Sequence, residues 1–154
     1  MKALTPELQN LIDKLLLAKE IYEKASSRIH NEPMTNQMKV LAERKSKFLT
    51  DIGKLVDVDF EEHTMGVKDR LKAAWEKIAI EVEHIFLQRD EGEILGFCIQ
   101  REDELIEMYQ EVLQSKDNEL DVFIKFLFES QLAESRILIN ELQETREAYN
   151  FLEK

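Results

Sequence analysis

The stretch DEGEILGFCIQREDELIEMYQEVL, residues 90–113, decides how this chain is read. Leu95, Cys98, Leu105, Tyr109 and Val112 follow the 3–4 stepping of an amphipathic helix, into which Asp90 to Gly92 reset the chain. The same stepping places Glu102 in the middle of the apolar seam. A carboxylate at a core position costs several kcal/mol unless a cation or hydrogen bonds compensate it, so Glu102 demands a partner.

Working outward, the rest of the chain is helical in pattern. Pro6 and Glu7 after Thr5 form a helix start, and a first helix runs to about residue 29 along Leu8, Leu11, Leu15, Ala18, Tyr22, Ala25 and Ile29. Ile12, Leu16, Leu17 and Ile21 widen its apolar surface, so it needs cover on more than one side. A second helix, about 33–56, has the seam Met38, Leu41, Lys45, Phe48, Ile52 and Leu55. The acidic run VDVDFEEHTMG, residues 56–66, reads as a loop. Val67, Leu71, Ala74, Trp75, Ile78, Val82 and Ile85 then mark a crossover helix over about 66–88. The opening stretch is the third long helix. A fourth starts at Asp117 or Asn118 and continues to about residue 150 with the seam Leu120, Ile124, Leu127, Gln131, Glu134 and Leu138.

Composition bounds what such a chain can be. A domain of 154 residues buries roughly 70% of its unfolded surface, so residues 1–154 are expected to form one domain that needs no metal to stay folded. Four Gly and two Pro leave room for long helices and short connections, and the expected fold class is all-α. The net charge of −11, without a basic stripe, argues against a nucleic-acid partner. No apolar run approaches the ~18 residues that span a bilayer, the N-terminal residues show no apolar signal region, and Cys98 has no disulfide partner. No membrane association and a cytoplasmic location are the corresponding expectations.

The midpoints of the second, third and fourth helices carry Lys45, Glu102 and Glu134, with Gln131 one turn away and Ala18 of the first helix at the same height. The expected site is therefore a core polar layer of Lys45, Glu102, Gln131 and Glu134. Two carboxylates against one ammonium leave one surplus negative charge, so one proton should be retained there. The alternative is a divalent-metal centre holding iron or manganese, with Glu20, Glu43 or Glu107 turned inward to join Glu102 and Glu134. Di-iron bundles take a Glu from each of two helices and a Glu-x-x-His pair from each of the other two. Glu43 is followed at that spacing by Ser46 and Glu134 by Ile137, so neither pair has its histidine. Glu81 and His84 have the spacing, but His84 points away from the apolar face, and Glu61, Glu62 and His63 sit in the acidic loop. Solvated positions explain both groups.

LQNLIDKLLLAKEIYEKA at 8–25, Leu71 with Trp75, and DEGEILGFCIQREDELIEMY at 90–109 resemble a bacterial ferritin-like four-helix-bundle family that has no assigned activity. The second helix matches more loosely, around Ala42, Lys45 and Phe48. The resemblance implies a ferritin-like up-down bundle whose second and third helices run parallel, joined by a long crossover that carries a fifth helix. A helix over 66–88 would be about 35 Å long, enough to return along the bundle. The resemblance supplies a fold and not a function; the missing histidines and Lys45 facing the carboxylates make the expected function non-enzymatic, through interaction or in a stress response, with no cofactor. An oxidase or metal store is the alternative. A homodimer is favoured over a monomer, because the fourth helix outlasts its neighbours and leaves Tyr149, Phe151 and Leu152 to be covered. If the Trp75 face packs on the bundle, Trp75→Ala should cost about 3–5 kcal/mol in urea unfolding, against less than ~1 kcal/mol for a surface position.

Overall fold

A computed structural model of the chain describes residues 6–56, 90–115 and 121–152, together with Glu76, Ile80, Glu83, His84 and Leu87. The described residues form four long helices and contain no strand: α1 (Pro6–Arg28), α2 (Glu32–Val56), α3 (Glu91–Gln114) and α4 (Val122–Leu152). The crossover helix expected over 66–88, Trp75, His63 and the Asp117 or Asn118 cap lie outside the described residues, apart from the five single positions, which are helical.

The starts of α2, α3 and α4 each have a local cause. Asn31 Oδ1 accepts from Met34 N at 3.1 Å while the Asn31 carbonyl takes Thr35 N, so Asn31 caps α2 and Pro33 occupies a first-turn position where no N–H is needed. Asp90 Oδ1 accepts from Gly92 N at 3.0 Å and Glu93 N at 3.3 Å, and opens α3. Asp121 does the same for α4, taking Phe123 N at 2.8 Å.

The helices pack as α1 on α2 and α3, and α4 on α3 and α2, leaving α2 and α3 facing each other across the core. Their contacts ascend together. Met38 meets Cys98, Lys45 meets Glu102, and Phe48 and Tyr109 both meet Gln131, so α2 and α3 run in the same direction. The long connection, residues 57–89, is what makes that direction attainable, since a tight turn would have reversed the chain. α3 and α4 run oppositely, with Tyr149 on Gly92 and the Arg146 guanidinium on Gly96. A Cβ at Gly96 would lie 3.0 Å from Arg146 Cζ, so a larger residue there would require the exposed Arg146 side chain to shift.

The core is continuous, with Leu11, Ile12, Leu15, Tyr22, Met38, Leu41, Ile52, Ile94, Leu95, Tyr109 and Phe128 fully buried. Leu55, expected on the seam of α2, is instead exposed near the end of that helix. Lys24 and Arg28 of α1 both pair with Glu83, which ties the connection to the outer face of α1. Asp90→Ala removes the acceptor for two N–H groups at the start of α3 and should lower stability by about 1 kcal/mol, read as a lower urea midpoint at unchanged m.

Candidate functional site

Two buried charged side chains, Lys45 and Glu102, meet where α1, α2 and α3 approach one another. Lys45 is on α2 and Glu102 on α3, and both side chains are 0% exposed. Lys45 Nζ lies 3.0 Å from Oε1 and 3.0 Å from Oε2 of Glu102, straddling the carboxylate. The Tyr22 hydroxyl of α1 donates to Glu102 Oε1. The ammonium also faces the Phe48 ring, 4.9 Å from its centroid, a desolvated cation–π contact. Glu102 is thus satisfied by two donors, and Lys45 by a carboxylate and an aromatic face.

A second polar group lies two turns further along α3. Tyr109 Oη donates to Gln131 Oε1 at 2.6 Å, and Gln131 Nε2 donates to the Phe48 carbonyl at 3.2 Å. This group joins α2, α3 and α4, and the Phe128 ring stands edge-on to Tyr109 at 5.9 Å.

Of the expected layer, Lys45, Glu102 and Gln131 are buried, but Glu134 is not. Its side chain is 32% exposed and pairs with Arg44 on the adjoining face of α2. Ser135 takes the buried position. The reason is helical phase: from Gln131 to Leu138 a seam can step through 134 or 135 with equal regularity, and only the packing of α4 on α2 and α3 selects 135. The surplus negative charge expected from two buried carboxylates is therefore absent, because Glu102 and Lys45 balance one to one.

The metal alternative fares differently at each position. Glu43 and Glu107 are exposed, Glu20 is half-buried, Glu134 is held by Arg44, and Glu102 is held by Lys45. Among the described residues no three His, Cys, Asp or Glu side chains converge on one point. His30 and His84 are exposed.

On the seam of α1, Tyr22 lies about one helical turn from Ala18, the residue at the height of the layer. A tyrosine side chain reaches further than the about 5.4 Å of a helical turn, and that reach is the signal that could have put its hydroxyl on Glu102. Tyr109 likewise sits on an apolar seam, and a buried phenol normally finds an acceptor, here Gln131.

The neighbours of the ion pair are held in their neutral forms. Burial, and then the Glu102 charge, push the Tyr22 hydroxyl well above the usual phenol range. Burial, then Glu102 and Glu134, do the same to Tyr109. Burial and Glu102 push the Cys98 thiol up to about 12, and its Sγ sits 3.8 Å from Met38 Sδ, so it is an inert packing group and not a nucleophile. No family model, curated protein or solved structure matches the chain.

Two outcomes follow from this geometry. Lys45→Met strands Glu102 and should destabilise the fold by roughly 3–5 kcal/mol at pH 7, with Lys45→Met/Glu102→Gln recovering much of it in urea unfolding. On the alkaline side, a thiol that ionises near 9 when unfolded and near 12 when folded retains its proton longer in the native state. The contribution of Cys98 to stability should therefore be constant below about pH 9 and fall as pH rises from there towards about 12, by about 1.4 kcal/mol per pH unit, and Cys98→Ala should remove that share of the slope.

Proposed function

We propose that this chain is a ferritin-like helical bundle that works without a metal centre, as a non-enzymatic protein acting through its surface in an intracellular stress or interaction role. The observation that carries this reading is Lys45 Nζ at 3.0 Å from both oxygens of the fully buried Glu102. A divalent ion and an ammonium compete for the same negative charge, and here the ammonium has it. The parallel course of α2 and α3 and the long connection between them support the ferritin-like part, since one long crossover is what distinguishes that bundle from four helices joined by short turns. The acidic charge of −11 supports a partner other than nucleic acid. The lone buried thiol suits a reducing cytoplasm. Among the described residues no helix is long and apolar enough to cross a membrane.

Elemental analysis of protein purified without chelator should find iron and manganese well below one equivalent. Adding either ion should leave the melting temperature unchanged, whereas an ion that bound the native state would raise it. Stoichiometric iron or manganese, or a metal-dependent rise in melting temperature, would overturn this reading in favour of the oxidase or metal store.

A further inference from the structure

α4 has two apolar faces. Phe128, Gln131, Leu132, Ser135, Leu138, Ile139 and Leu142 are buried against the bundle. On the opposite side Phe123 and Phe126 are each 73% exposed and Ile137 is 59% exposed. Ser130 and Ala133 lie between them, also exposed. The positions 123, 126, 130, 133 and 137 step by 3 and 4, which is the spacing of a helix-pairing seam and not of scattered surface residues.

We propose that this outer stripe of α4 pairs with the same stripe of a second copy of the chain, the two helices running antiparallel about a two-fold axis. The occupant is argued from charge. Glu129 and Arg136, both exposed, flank the stripe on one edge seven residues apart. In an antiparallel self-pair the same edges face each other, so Glu129 of one copy lies beside Arg136 of the other, and the symmetry repeats the contact. The same alignment stacks Phe126 on Ile137 and sets Ser130 against Ala133, with small side chains at the centre where the two backbones come closest. A parallel self-pair would instead bring Glu129 beside Glu134, like charge against like, and keep only Arg136 beside Glu141 as an attraction, where the antiparallel pair makes both contacts attractive. The inference stands independently of the Lys45–Glu102 reading, because none of these residues touches the ion pair.

Sedimentation velocity on the full chain over a range of concentrations tests it. The wild type should show a monomer–dimer equilibrium. Phe126→Ser and Ile137→Ser, at exposed sites, should each raise the dissociation constant by about 10-fold or more with unchanged helical circular dichroism. Glu129→Arg alone and Arg136→Glu alone should each weaken the dimer by about 10-fold, since every swap turns two symmetry-related attractions into repulsions. The double swap Glu129→Arg/Arg136→Glu should restore it. A wild type that stays monomeric throughout, a dimer indifferent to Phe126→Ser and Ile137→Ser, or a double swap as weak as the single ones would each overturn the proposal. A dimer that meets these expectations in protein found to hold stoichiometric metal would leave this surface standing while the core reading fell.

Discussion

Everything else in the bundle is arranged around one ion pair taken completely out of water. Lys45 and Glu102 come from helices that face each other across the core, and the Tyr22 hydroxyl of a third helix closes the group. Removing each charge from water costs several kcal/mol, and the two direct contacts, the phenol and the Phe48 ring roughly offset that cost without a large surplus. The contribution of the pair is therefore better described as selection than as stabilisation. Rotating α2 by one residue, or sliding it by one turn, separates the charges and leaves both uncompensated, so only one register of α2 against α1 and α3 is tolerable.

The Tyr109–Gln131–Phe48 group repeats the device about 10 Å further along α3 and brings in the fourth helix. Between them the two groups touch each of the four described helices. Glu102 and Tyr109 are seven residues apart and share the same face, so a helix period produces two polar levels at one azimuth. The lower level fixes α1, α2 and α3, and the upper fixes α4 against α2 and α3. A core of Leu, Ile, Met and Phe alone would pack comparably well in several rotated arrangements, which these levels exclude.

The same chemistry limits what the core can do. A carboxylate that is already neutralised by an ammonium, a phenol and a thiol pushed up by burial, and a second phenol engaged with an amide provide neither a free base nor a nucleophile at neutral pH. The function proposed for this molecule accordingly rests on its surface. α4 is the helix whose surface departs most from the ordinary pattern, being apolar on the side away from the bundle as well as on the side facing it.

Much of this was legible before any coordinates. Hydrophobic periodicity placed the four helices to within a few residues, because an apolar stripe repeats whatever it packs against, and it put Lys45, Glu102 and Gln131 inward because each interrupts an otherwise apolar seam. The exposure of Glu134 and the hydroxyl on Glu102 are different in kind. Glu134 and Ser135 are equally regular continuations of one seam, and a period of 3.6 residues cannot separate neighbours about 100° apart when the flanking positions are shared. Arg44, waiting at the edge of α2, drew Glu134 outward, and that meeting exists only once two helices distant in sequence have packed. The sequence by itself determined which residues had to leave water. Tertiary packing decided which of them met, because a charge is paired by proximity in space, and a helical repeat carries no information about the helix across the core.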